Sequence, residues 1–123
     1  MDYLGSKYPA VSGSKVSGMK VRDSVPNTSS IGASLDDHET LPGIREFPMS
    51  ELPAPPEINA RTKNLAAQIK QSGEINPLIV AIDKDGPYIL EGAHRFDALK
   101  INGAKSFPAM VVHDLGNPYK VPQ

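Results

Sequence analysis

Apolar positions change rhythm along this chain. From residue 1 to about 40 they occur singly among Ser, Gly and Lys, with no sustained period of two or 3.6. That composition predicts a leader or linker over residues 1–40, partly extended, ahead of a folded unit over residues 41–123. Leu35, Leu41, Ile44 and Phe47 thicken the apolar content where the two meet. Pro42, Pro48, Pro53, Pro55 and Pro56 then exclude a long helix, because each lacks an amide donor and restrains the residue before it. "GIREFPM" is the best strand candidate there.

From Arg61 the pattern becomes helical. "ARTKNLAAQIKQSG" holds good helix formers, with Thr62 as the expected N-cap and Gly73 as the stop. At about 100° per residue, Leu65, Ala66 and Ile69 form a core stripe, and Lys63 and Lys70 fall opposite in solvent. Beside the apolar stripe runs a polar one, Arg61, Asn64 and Gln68, spaced i, i+3, i+7. "NPLIVAID" and "PYILE" read as strands joined by a hairpin across Asp83 to Gly86. "AHRFDALKINGA" reads as a second helix with Gly103 in the left-handed position at its end, and "SFPAMVVH" as a last strand. Helix, strand, hairpin strand, helix, strand predicts a small α/β (α+β) domain with a mixed sheet of about four strands and two main helices.

Composition narrows the function. The 123 residues are 39% hydrophobic and 6% aromatic, enough for one modest core. A net charge of −1 removes any overall basic field, so contact with nucleic acid would have to be local. The absence of cysteine excludes disulfides, thiolate zinc sites and a cysteine nucleophile. No stretch approaches about 18 consecutive apolar residues, and "MDYLGSKYPA" lacks the basic start and hydrophobic core of a signal peptide. The expectation is a cytoplasmic chain with no membrane partner, no zinc and no haem.

Candidate chemistry gathers at "EGAHRFDAL". The first N–H groups of a helix lack intrahelical acceptors and carry the positive end of its dipole, so anions bind there. Gly92 lets a phosphate approach without a Cβ in the way, and His94 and Arg95 add donors. The plainer reading is that Gly92 makes the turn and the two basic residues face solvent. Around the wheel, however, Arg95 falls between Ala98 and Leu99, toward the packed side. A buried guanidinium needs a partner there, either a ligand phosphate or a carboxylate such as Glu91 or Asp97.

"GEINPLIVAIDKDGPYILEGAHRFDALKINGAKSFPAMVV" resembles the ParB/sulfiredoxin-like superfamily over residues of about 47–113. A helix, an "NPL-I-V" strand, a hairpin, a Gly-x-(His/Arg)-Arg helix start and a Pro-Ala-x-Val-Val finish carry the likeness. It implies that Gly92, Ala93, His94 and Arg95 hold nucleotide phosphates. In sulfiredoxins a Lys, a Ser and a Thr spaced i, i+3, i+7 on the preceding helix contact ATP, and the matching positions here are Arg61, Asn64 and Gln68. Ala93 stands where the sulfiredoxin cysteine would be, so reduction of sulfinic acids is not implied. ParB proteins of chromosome segregation carry Gly-Glu-Arg-Arg at this turn, followed by DNA-binding helices. Here Ala93 and His94 replace the Glu and the first Arg, and only ten residues follow His113. Glu91 before Gly92 resembles Asp/Glu-Gly-His-His-Arg variants, some of them ATP- or ADP-dependent kinases of small molecules and many others classed as nucleases.

Glu91 is the leading candidate to hold Mg²⁺ or to act as a base beside the phosphates; the alternative is an ion pair with Arg95 or Arg61. Glu57, in the "PAPPEINAR" loop, is a second catalytic candidate. Pro77 fixes the start of the central strand, and Asn76 faces the site. His38 and His113 lack a second ligand at metal spacing and read as structural or exposed. Asp36 and Asp37 read as turn residues that could also help bind a metal. Lys63, Lys70 and Lys100 are too few for a nucleic-acid stripe.

The expected function is binding of a nucleotide of the ATP, ADP or CTP type with Mg²⁺, with hydrolysis or phosphoryl transfer as the chemistry. One alternative is a metal-dependent nuclease of DNA or RNA from a bacterium or phage, which could be the toxin module of a larger, secreted antibacterial effector with an immunity protein as partner. Another is a non-catalytic module that senses a nucleotide or associates with DNA or a partner protein.

Overall fold

Five consecutive residues, Leu78 to Ile82, have no solvent exposure, which puts the "LIVAID" segment at the centre of the molecule. The computed structural model describes residues 2–11, 15–22 and 38–119; the expectations for Leu35, Asp36 and Asp37 lie outside the described residues. In chain order the elements are α1 (Asp2–Lys7), β1 (Lys15–Val16), β2 (Met19–Val21), β3 (His38–Thr40), β4 (Arg45–Pro48), a 3₁₀ turn (Met49–Glu51), α2 (Ala60–Ser72), β5 (Glu74–Ile75), β6 (Leu78–Asp83), β7 (Gly86–Glu91), α3 (Ala93–Ile101) and β8 (Ser106–Asp114).

The main sheet runs β3-β8-β6-β7, with β4 also pairing β8. β6 and β7 form the antiparallel hairpin, while β6 and β8 are parallel, with Leu78 opposite Ala109 and Ile82 opposite His113. The crossover between them is α3, as parallel neighbours require. Along the other edge of β8, β4 pairs its first half and β3 its second. The alternation of β6 therefore serves two faces. Leu78, Val80 and Ile82 join Ala66, Ile69, Phe96 and Leu99 under the helices, while Ile79 and Ala81 pack with Val112 on the reverse.

α2 and α3 lie side by side on the first face. Ala66 and Ile69 are buried and Leu65 packs beside them, whereas Lys63 and Lys70 are exposed. The expected N-cap at Thr62 is corrected: Asn59 caps α2, its side chain accepting from the Thr62 N–H while Thr62 Oγ1 accepts from the Asn59 N–H. Thr62 is fully buried, so its hydroxyl serves the cap from inside the first turn. Gly73 ends the helix at φ +69°, as expected. Asn102, at the end of α3, donates through Nδ2 to the Ala66 carbonyl at 2.9 Å and ties the two helices together.

The N-terminal segment adds elements that its composition concealed. Leu4 and Tyr8 are buried in the main core, and the Tyr8 ring stacks on Phe47 at 4.4 Å between centroids. Val11 and Glu46 donate backbone hydrogen bonds to Ile44 and Pro9, so this segment runs against β4. Farther on, β1 and β2 form a hairpin, and β2 pairs parallel with β5 to complete a second, three-stranded sheet. The described residues thus form two mixed sheets and three α-helices where sequence predicts one sheet of about four strands and two main helices. His38 is half-buried on edge strand β3, and His113 accepts from the Tyr119 N–H through Nε2. No helix among the described residues is long and apolar enough to cross a membrane.

Candidate functional site

The site is built where β7 gives way to α3. Pairing along the hairpin slips by one residue at Leu90, so that Ile89 lies opposite Val80 but Glu91 opposite Ile79. The chain then turns through Gly92 at φ +100°. A Cβ at this position would stand 2.8 Å from Leu78 Cγ and 3.0 Å from Arg95 Nη2, so only glycine fits both the backbone angle and the space. No side chain caps α3, and no acidic residue lies in its first turn. At α2 the capping box satisfies the first amides; at α3 they remain available to an anion.

Arg95 is held rather than loose. Its Nη2 donates to Glu91 Oε2 at 3.0 Å and to the Pro77 carbonyl at 3.2 Å, and about a quarter of the side chain is exposed (25%). Of the two carboxylates open from sequence, Glu91 is therefore the partner. Arg95 Nε is buried with no hydrogen-bond partner, and so is Asn76 Oδ1. A buried polar atom without a partner costs on the order of 1–3 kcal/mol, so two of them on residues that line one cavity mark a place where a ligand would restore bonding.

Nine of the residues singled out from sequence line one cavity of about 520 Å³. Arg61, Asn64 and Gln68 form its α2 wall, Asn76 its base, and Glu91, Gly92, Ala93, His94 and Arg95 the opposite wall. Leu65, which the wheel assigns to the core, joins them at the edge of its stripe. Glu57 is not among them: it is exposed in the loop before α2, outside this lining, and its backbone carbonyl accepts from Thr62 Oγ1 at 2.8 Å. Sequence reading also missed Gln71 and Ser72, which continue the α2 stripe by one turn into an adjoining cavity.

The charge at the cavity is mixed. Among the described lining residues Arg61 and Arg95 face one carboxylate, Glu91, already engaged by Arg95. Among the described residues no three His, Asp or Glu side chains are grouped to hold a metal ion. This donor set does not fit magnesium held by the protein alone. Magnesium carried on a ligand's phosphate oxygens needs only one or two protein carboxylates.

A glycine turn opening an uncapped helix thus faces a polar helix stripe across one cavity. The family model described as the ParB N-terminal domain matches residues 42–119. The chain belongs to the ParB N-terminal domain family. The span read from sequence, about 47–113, falls inside the match. No curated protein matches the chain. Among solved structures it is similar to sulfiredoxin from Arabidopsis thaliana, at 23% identity and a TM-score of 0.46, over 57% of this chain and 84% of that one. This ParB N-terminal domain carries Gly-Ala-His-Arg at the turn and has no cysteine. Residues 2–11 and 15–22, which contribute α1, β1 and β2, lie outside the family match.

Proposed function

We propose that this domain binds the polyphosphate of a nucleotide in the cavity between α2 and the start of α3. ParB-like domains can bind nucleotide or DNA, and the cavity's shape and chemistry favour the nucleotide. The observation that carries the reading is the juxtaposition itself: the uncapped N-terminus of α3, opened by Gly92, faces Arg61, Asn64 and Gln68 across about 520 Å³. Amides of α3 take one phosphate through hydrogen bonds aligned with the helix dipole. Arg95, steadied by Glu91 and the Pro77 carbonyl, offers its unpartnered Nε to a phosphate oxygen, Arg61 adds charge at the rim and His94 a ring N–H donor.

Magnesium would enter with the phosphates, with Glu91 the carboxylate nearest to them in the lining. Phosphoryl transfer or hydrolysis needs little beyond positioning and charge neutralisation, which this residue set supplies. Glu91 has a second role in such a step: placed beside the phosphates, its carboxylate is the group able to accept a proton from an attacking hydroxyl or water.

The test is calorimetric titration of ATP, ADP, CTP, GTP and inorganic tripolyphosphate, with and without Mg²⁺. Arg95→Ala is expected to weaken every polyphosphate by about 2 kcal/mol, roughly thirtyfold, the size of a lost charge-assisted bond. Glu91→Gln is expected to bind at least as tightly as the parent, because it removes an anion from beside the phosphates, but to release no phosphate. Failure of the parent to bind any polyphosphate refutes the reading. Plasmid nicking that survives Arg95→Ala refutes it equally, since the phosphate grip would then be irrelevant to activity.

A further inference from the structure

We infer that the groove continues past Arg95 into a second lobe that takes the nucleoside of the bound nucleotide, with a base contact from the N-terminal segment; this rests on the phosphate-binding reading above. An adjoining cavity of about 410 Å³ shares Leu65, Gln68, Asn76 and Arg95 with the first, so one continuous groove crosses that wall. At the crossing lie the two unpartnered atoms, a donor at Arg95 Nε and an acceptor at Asn76 Oδ1. A ligand that spans the crossing satisfies both by presenting an acceptor and a donor. A sugar phosphate does so: a phosphate oxygen accepts from Nε, and a neighbouring ribose hydroxyl donates to Oδ1.

Charge sets the direction. In the second lobe Arg22 Nε lies 3.5 Å from Glu74 Oε2, so among the described lining residues the cation besides Arg95 is offset by an anion. A polyanion gains little on that side and is drawn to the Gly92 lobe, where positive groups outnumber the single carboxylate. What the second lobe offers is neutral and bifunctional: the amides of Gln68 and Gln71 each donate and accept, above a floor of buried Ile69 and Ile75. That combination suits a heterocycle, its edge on the amides and its face on apolar carbon. From Arg61 to Gln71 the polar face of α2 runs about 15 Å along both lobes. Arg22 directly follows β2, outside residues 42–119, so this contact to the base is the chain's own and not the family's.

Arg22→Ala and Gln71→Ala test it, because both side chains are exposed and neither lines the phosphate lobe. Thermal denaturation confirms that each variant folds. Calorimetric titration then compares tripolyphosphate with the tightest of ATP, ADP, CTP and GTP. Each variant is expected to lose roughly tenfold for the nucleotide, about one hydrogen bond to a charged or amide group, and nothing for tripolyphosphate. If nucleotide affinity is unchanged in both variants while tripolyphosphate still binds, the nucleoside lies elsewhere and the inference falls with the phosphate reading intact. If the parent binds no tripolyphosphate, the phosphate reading itself fails.

Discussion

At the residue scale, Gly92 joins backbone geometry to chemistry. Gly92→Ala imposes a left-handed conformation on an L residue, about 1–2 kcal/mol, and drives its Cβ into Leu78 and the Arg95 guanidinium. The expected outcome is a lowered melting temperature together with loss of polyphosphate binding, because Leu78 is fully buried and Arg95 is the freer to move. Gly103→Ala is the control: its φ is +73° but nothing lies within 4 Å of an added Cβ. It should lower the melting temperature less and leave binding untouched, which paired calorimetry and titration would show. The need for glycine at position 92 was legible as a turn ahead of a helix. The partner of Arg95 was not, since Glu91 and Asp97 are both within reach along the chain and only the direction in which β7 ends chooses between them.

At the element scale, α2 carries one face for the core and another for the site, and the 3.6-residue period revealed both. Its start was ambiguous, because Asn59 and Thr62 are both cap formers. The structure uses them together, with Asn59 outside the helix and Thr62 buried within it. Asn59→Ala should cost about 1 kcal/mol in chemical denaturation. Asn102→Ala removes the clasp between the ends of α3 and α2 and leaves the Ala66 carbonyl without that donor, again about 1 kcal/mol. Because the two helices form opposite walls of the cavity, Asn102→Ala should also weaken tripolyphosphate binding by a few-fold, measurable in the same titrations, although Asn102 lines neither lobe.

For the whole molecule, the N-terminal segment behaves as part of the core. Leu4→Ala should cost about 2–5 kcal/mol, the range for a buried leucine, and a chemical denaturation midpoint that stayed put would mean the segment is dispensable. Tyr8 donates its hydroxyl to Glu51, and burial followed by that bond pushes its pKa far above the ordinary 10.0. The folded protein thus keeps a proton that the unfolded chain gives up above pH 10. The stability linked to Tyr8 is complete below that point and declines as pH rises past it. Denaturation midpoints from about pH 8 to about 11 should therefore fall at the alkaline end, and fall less steeply in Tyr8→Phe. Lys7, penalised by burial but raised on balance by Glu51, declines in the same direction, so the slope shrinks without vanishing.

Local physics written in the chain determined the order α2, β6, β7, α3, β8, the two faces of α2 and the anion-prone turn at Gly92, but not the short β5. Each follows from a period or a steric rule acting within a few residues. Tertiary structure alone decided that the α2 stripe and the Gly92 turn face one another, that Glu57 lies outside their cavity, and that Leu4 and Tyr8 complete the core. Those outcomes depend on residues dozens of positions apart meeting in space. No repeating spacing records such a meeting, because it is set by how side-chain shapes fill the interior once the sheet and helices pack.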